Sequence, residues 1–227
     1  MPNIPHNLQI IGAEIAECCK SVNRAFGHVQ LLAVSKRHST YAIQQAYDAG
    51  QRAFGENYVQ ELVEKAQELS SLDIEWHFIG ALQSNKSKDI ANVASWVHTI
   101  DRLKIARRLS EQRPAELPAL NVCLQVNVNN EANKSGLSLD EVEALAEAVS
   151  NLPNIKLRGL MAIPEASTDE AQQRRNFALL ADEQRRLNSK GYALDTLSMG
   201  MSGDMPAAIA EGATIVRIGT AIFGSRT

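Results

Sequence analysis

Lys36 and Arg217, together with a group of glycines and hydroxyls near the C-terminus, are the residues of this sequence best suited to chemistry. Lys36 ends the apolar run LLAVSK (31–36). On a strand alternate residues share a face, so Leu32, Val34 and Lys36 point the same way. If that face is the interior of an α/β sheet, the amine sits at the carboxyl end of its strand, where such sheets place ligands. Spacing alone leaves open that Lys36 is only the first solvated residue after a strand. Two later segments, SMGMSGDM (198–205) and RIGTAIFG (217–224), supply Gly200, Ser202, Gly203, Gly219 and Thr220. Glycines let a backbone approach an anion, and hydroxyls donate to its oxygens. Alternation in TIVRIG (214–219) puts Ile215, Arg217 and Gly219 on one face. A buried guanidinium needs an acceptor, either a carboxylate or a ligand atom, and spacing leaves both open. A nearby cation and partial desolvation favour the neutral amine that attacks a carbonyl. Lysine, anion cup and arginine together describe a phosphorylated aldehyde held as a Schiff base. Pyridoxal phosphate, with an arginine facing its pyridine nitrogen, meets all three requirements.

The elements that must position these residues alternate in type. Strand-like runs fall at 31–36, 52–57, 75–80, 96–100, 121–128, 156–163, 195–199 and 214–219. Helical patterns separate them. One is capped by Ser39 or Thr40 and stopped by Gly50; others cover 57–70, a polar stretch from Ser84, 102–113 capped by Asp101, 139–151 begun by Ser138, 169–190 and 204–212. A further amphipathic helix over about 7–26 carries Leu8, Ile11, Ile15, Cys19 and Val22. Eight strands alternating with helices within 227 residues are the arithmetic of a (β/α)8 TIM barrel. No Gly/Ser linker divides residues 1–227, which predicts a single domain. The alternative, an open doubly wound sheet, lacks its G-x-G-x-x-G fingerprint after the first strand.

Composition narrows the function classes. A formal net charge of -3 gives no basic field for nucleic acid or an anionic membrane. The first residues lack the basic region and apolar core of a signal peptide, and no run is long enough to span a bilayer. A cytoplasmic protein is expected. Cys18, Cys19 and Cys123 form no CxxC pair, and the five histidines show no metal-ligand spacing.

The blocks AVSK (33–36), FGENYVQE (54–61), WHFIGALQSNK (76–86), KSGL (134–137), RGLMAIP (158–164), SMGMSGDM and RIGTAIFG closely resemble the pyridoxal phosphate homeostasis protein family. Its members are small pyridoxal-phosphate-binding proteins similar to the N-terminal barrel of bacterial alanine racemase. The resemblance runs in the same order over nearly the whole chain. It implies a barrel of the alanine racemase N-terminal type, with Lys36 as the internal aldimine and Arg217 near the ring nitrogen. It further implies that Ser202, Gly219 and Thr220, with backbone from Ser198 and Met199, hold the phosphate, and that Asn57 and Met161 lie near the ring. Many members carry a second lysine two positions after the first, usually followed by proline; here His38 and Ser39 stand there. Any role of that lysine in transferring cofactor is therefore in doubt for this chain. Lys134 remains as a candidate secondary contact, although it reads more simply as a solvated loop residue.

The expected function is to hold pyridoxal 5'-phosphate and contribute to vitamin B6 and amino-acid homeostasis, as a carrier or buffer without efficient turnover. Apo forms of pyridoxal-phosphate enzymes are the expected recipients. The alternative is a racemase-like enzyme acting on amino acids. That reading is weakened because racemase-like relatives use a second domain and a partner's tyrosine, whereas this sequence stops just after the eighth strand. An arginine at the pyridine nitrogen also disfavours ring protonation. A cofactor-free Schiff-base aldolase would leave Arg217 without a task. His77 and Tyr58 are the remaining ionisable candidates; His77 reads more simply as a hydrogen-bonded interior residue and Tyr58 as a packing residue. Arg174, Arg175, Arg185 and Arg186 read as a solvated helix face. Without a dimer-forming domain, a monomer is expected.

Overall fold

The computed structural model describes residues 2–131 and 134–225. Its centre is a closed barrel of eight parallel strands in sequence order. They are β1 (Gln30–Val34), β2 (Ala53–Glu56), β3 (Glu75–Phe78), β4 (Trp96–Ile100), β5 (Leu120–Val126), β6 (Ile155–Ala162), β7 (Thr196–Ser198) and β8 (Ile215–Ile218). The ring closes where β8 pairs with β1, with Leu32 opposite Arg217 and Ala33 opposite Ile218. Closure excludes the open sheet. It also makes the strand leading to Lys36 a neighbour of the strand that carries Arg217.

Helices α2 (Thr40–Asp48), α3 (Val59–Glu68), α4 (Ser87–Val93), α5 (Leu103–Gln112), α6 (Leu139–Ser150), α7 (Glu170–Ser189) and α8 (Met205–Ala210) make the crossovers. Before them lies α1 (Ile4–Ser21), and α9 (Thr220–Phe223) follows β8. Capping explains several boundaries. Ser39 accepts from Ala42 N at 3.3 Å, Ser138 and Glu141 form a capping box, and Asp169 accepts from Ala171 N at 2.9 Å. The first helix starts three residues earlier than its apolar pattern because Asn3 caps it and Pro5 is tolerated in the first turn. It ends at Ser21, before Asn23 turns left-handed at φ 56°. Asp101 does not cap α5. Arg102 holds that position without a side-chain bond, and Asp101 pairs with its guanidinium at 3.4 Å. The polar stretch from Ser84 opens as a 3-10 turn before α4 begins. Among the described residues no helix is long and apolar enough to cross a membrane.

Outward faces of the strands bury the main core: Ala33, Phe54, Phe78, Val97 and Leu124 pack beneath the helices. The inward faces are different. Leu32, Ala53 and Ile215 form one small apolar group, and Trp96, Cys123 and Met161 another. Beside them lie His77, His98, Ser198 and Arg217, all buried and all polar. A barrel interior is ordinarily filled by layers of branched apolar side chains, so this polar content bears on function.

Gly159 marks a close approach of β6 to β7, where it pairs with Thr196. A Cβ there would meet Thr196 O at 1.8 Å, which only strand separation can relieve. Gly159→Ala is therefore expected to lower stability by at least about 1–3 kcal/mol. Calorimetry checks this, at roughly 2–4 °C of melting temperature per kcal/mol for a chain of this size.

Candidate functional site

At the carboxyl ends of the strands lies a cavity of about 280 Å³. Lys36, Asn57, Met161, Ser202, Arg217, Gly219 and Thr220 all line it, so seven of the residues singled out in the sequence meet there. Val34, Ile79, Ile163, Met201 and Gly203 complete the wall. The expected facing is observed. Leu32 packs inside the barrel, and Val34 and Lys36 reach the cavity above it. Likewise Ile215 is interior, with Arg217 and Gly219 at the mouth. The loops after β7 and β8 supply the hydroxyls and glycines of the lining, and Val34, Ile79, Met161 and Ile163 supply apolar wall. Gly200 allows the first of these loops to turn, at φ 96°, where a Cβ would meet Ala208 Cβ at 2.5 Å. Its carbonyl accepts from Arg217 N at 2.9 Å, and Asp204 Oδ1 accepts from Met201 N at 2.6 Å.

Ser198 and Met199 do not line the cavity. Met199 is wholly buried in the core, and its N–H is committed to Ile215 O at 3.1 Å. Ser198 lies below Arg217, whose Nη1 donates to its carbonyl at 2.6 Å and its hydroxyl at 2.9 Å. Arg217 Nη2 donates to Ala162 O at 2.9 Å. The arginine is 5% exposed, and burial lowers its pKa to about 10, so it stays charged near neutral pH. All these intrachain acceptors are neutral oxygens. A buried cation so placed favours an electron-rich ligand atom.

Lys36 sits two residues past β1 with both neighbours tied to α3. Ser35 donates through Oγ to Glu56 Oε1 at 2.7 Å, and its carbonyl accepts from Lys65 Nζ at 2.9 Å. Arg37 adopts a left-handed φ of 62°, and its N–H donates to Glu61 Oε2 at 2.9 Å. Lys65 Nζ joins the two carboxylates, at 2.8 Å from Glu56 and 3.1 Å from Glu61. This clamp fixes the backbone on either side of the lysine. Its members were not singled out in the sequence, although Glu61 and Lys65 carry the spacing of a helical ion pair.

The chain matches the family model for the alanine racemase N-terminal domain over residues 10–227. It is 55% identical to the pyridoxal phosphate homeostasis protein of Pseudomonas aeruginosa, covering 100% of this chain and 97% of that one. Against the Escherichia coli protein of the same name the identity is 52%, over 100% and 98% of the two chains. Among solved structures, PipY of Synechococcus elongatus with PLP bound superposes with a TM-score of 0.81 at 40% identity, covering 92% of this chain and 100% of that one. The chain belongs to the pyridoxal phosphate homeostasis protein family.

In this member of the pyridoxal phosphate homeostasis protein family, the other sequence candidates lie apart from the cavity. His77 is wholly buried on β3, as a hydrogen-bonded interior residue. Tyr58 is exposed, and its hydroxyl accepts from Arg37 Nη2 at 3.2 Å. His38 stacks on Phe223 with ring centroids 5.0 Å apart. Lys134 pairs with Glu131 at 2.6 Å and does not line the cavity. The α7 arginines pair at the surface, Arg174 with Glu211, Arg175 with Asp169, Arg185 with Asp182 and Arg186 with Glu143 and Glu183. Among the described residues no cluster of metal-ligating side chains occurs.

Burial pushes the Glu56 carboxyl up to about 7 against the pull of Lys65 and Ser35. An acid with a raised folded pKa contributes stability that is present below its unfolded value and is lost as pH rises through the folded one, here from the usual carboxylate range to about 7. Lys65→Met removes the cation that supports the charged form. Urea unfolding should show a loss of about 3–5 kcal/mol at about pH 8, where a buried charge is left unpaired. The loss should be smaller at about pH 5, where Glu56 takes up a proton. Equal losses at the two pH values would show that the pair does not titrate in this window.

Proposed function

We propose that the chain holds pyridoxal 5'-phosphate in this cavity, with Lys36 condensed to its aldehyde as a Schiff base. In this reading it acts in the cytoplasm, as a monomer, as a carrier or buffer that passes the cofactor to apo-enzymes without efficient turnover. The observation that carries the reading is the joint lining of one small cavity by Lys36, Arg217, Ser202 and Thr220. PipY, a relative in sequence and fold, has PLP bound in its structure.

The residues present fit the group. The cavity is near the lower end of small-molecule sites, which run to roughly 300–1,000 Å³. Ser202 and Thr220 offer hydroxyls to a phosphate, with glycine backbone beside each. Val34, Ile79 and Met161 offer apolar walls to a flat ring and keep water from its faces. Asn57 Oδ1 is a buried acceptor with no partner among the described residues, so a ring hydroxyl has an acceptor waiting. Arg217 donates toward a pyridine nitrogen and leaves it unprotonated. When bound, the group supplies an aldehyde carbon to which an amine adds with loss of water. Lys36 supplies that amine, held by its clamped neighbours.

The proton inventory supports holding over turnover. Exchange at an amino acid's α-carbon needs a base on each face. Among the residues lining the cavity, Lys36 is the one side chain of a type that exchanges a proton in catalysis near neutral pH. His77 lies in the interior below, and Tyr58 lies outside the lining.

Lys36→Ala is expected to abolish the visible Schiff-base absorbance while circular dichroism stays normal; an unchanged spectrum would move the linkage to another lysine. Ser202→Ala and Thr220→Val should each weaken pyridoxal phosphate by about tenfold to a hundredfold and leave pyridoxal nearly unaffected. Equal losses for both ligands would place these residues' effect on the fold instead. The experiment that decides turnover is α-proton exchange of several L-amino acids in deuterated water with loaded protein. Silence in that assay, together with transfer of cofactor to an apo-enzyme, is the expected result. Racemisation at an ordinary kcat of about 1–10³ s⁻¹ would overturn the carrier reading in favour of a racemase-like enzyme.

A further inference from the structure

An unbroken column of polar side chains crosses the barrel interior from its amino-terminal end to the cavity. Glu75, partly exposed at the start of β3, lies 2.7 Å through Oε1 from His77 Nε2. His77 Nδ1 is 2.8 Å from His98 Nε2, and His98 Nδ1 is 2.7 Å from Ser198 Oγ. Ser198 Oγ is in turn 2.9 Å from Arg217 Nη1. His77, His98 and Ser198 have no solvent exposure, and Trp96 stacks on His77 with centroids 5.4 Å apart. Burying so many polar atoms where branched apolar side chains would serve costs desolvation, unless the column does something for the site above.

The carboxylate end of the column sets its direction, and the guanidinium end is compatible with it. A guanidinium only donates and an ionised carboxylate only accepts. The hydrogen bond from His77 holds the Glu75 carboxyl at about 2, so it is ionised at neutral pH. Glu75 Oε1 accepts, so His77 carries its proton on Nε2, and as a neutral ring it accepts on Nδ1 from His98 Nε2–H. His98 Nδ1, on a ring neutral in its turn, accepts the Ser198 hydroxyl proton, and a Ser198 lone pair accepts from Arg217. One arrangement thus satisfies every contact with both imidazoles neutral. Burial favours it, since it lowers the pKa of both rings.

We infer that Glu75, His77, His98 and Ser198 are positioning residues for Arg217, forming a one-way hydrogen-bond column that holds the guanidinium as a donor to whatever occupies the cavity. Nη1 gives its two protons to Ser198 and Nη2 gives one to Ala162. The other Nη2 proton and the Nε proton are left for a ligand. Without the acceptor at the Glu75 end, either ring can reverse its tautomer. His98 Nδ1–H then donates to Ser198 Oγ, which accepts from both sides and must turn its own proton out of the column. Ser198, which the family resemblance assigned to the phosphate, acts here through the arginine.

The ligand arm of the test rests on the pyridoxal phosphate reading; the column itself does not. Protein labelled with ¹⁵N-histidine should show both rings neutral and protonated on Nε2 between about pH 6 and 8. A proton on Nδ1 of His98 would overturn the column. Glu75→Leu changes a partly exposed position outside the cavity. It should nonetheless perturb the His98 and Arg217 side-chain NMR signals, shift the visible band of added pyridoxal phosphate and weaken its binding by about tenfold. Glu75→Gln keeps an acceptor oxygen and should restore all three. A folded Glu75→Leu protein with native tautomers, band and affinity would sink the inference. If native protein fails to take up pyridoxal phosphate, the functional proposal falls, while the tautomer measurement still decides the column.

Discussion

The pairing of β8 with β1 is the constraint on which the rest of the site depends. Lys36 and Arg217 lie far apart in sequence, and only ring closure puts Leu32 opposite Arg217 and carries the lysine to the same cavity. Parallel strands buried on both faces need long crossovers, which the helices supply. The cavity is then a consequence of strand alternation. Each inward residue at a strand's carboxyl end has no further layer above it, and the loops after β7 and β8 wall the gap.

Two buried charge arrangements stiffen this frame at different expense. The Glu56–Lys65–Glu61 clamp is an ion-pair network outside the barrel wall, between β2 and α3. Its attraction is offset by desolvation, as the raised Glu56 pKa shows, so its main contribution is geometric. It holds Ser35 and the left-handed Arg37, and with them the turn that presents Lys36. Inside the wall, Arg217 forms no ion pair with a carboxylate among the described residues, and Asp204 acts on it only through its charge at longer range. Carbonyls and a hydroxyl hold it in place without neutralising it, which keeps its charge available to the cavity.

Much of this was legible in the sequence because it follows from period-two alternation. The shared faces of Leu32, Val34 and Lys36, and of Ile215, Arg217 and Gly219, needed no tertiary information. Ring order was legible from the count of alternating elements. Helix ends were less so, because caps such as Asn3 act outside the apolar pattern, and Asp101 turned to Arg102 instead of the helix amides. Ser198 and Met199 were hardest to place. β7 has only three residues, too few for a pattern to say which side chain faces in and which amide is already bonded. Nothing local to the sequence joins His77 to His98 or either to Ser198, since those contacts exist only across the closed ring.

The polar interior also bears on how the fold tolerates change. An apolar core repacks around a substitution by small shifts in many weak contacts. A column of directional bonds cannot, because each member's proton position depends on the next. His98 therefore differs from Trp96 beside it, although both are buried on β4. Trp96 answers to shape, through its stack on His77 and the Arg158 guanidinium 4.9 Å over its ring. His98 answers to donor and acceptor order set at the carboxylate end of the column. Substitutions at Trp96 should trade chiefly in stability, whereas those at His98 reach the cavity through Ser198 even where the barrel stays closed.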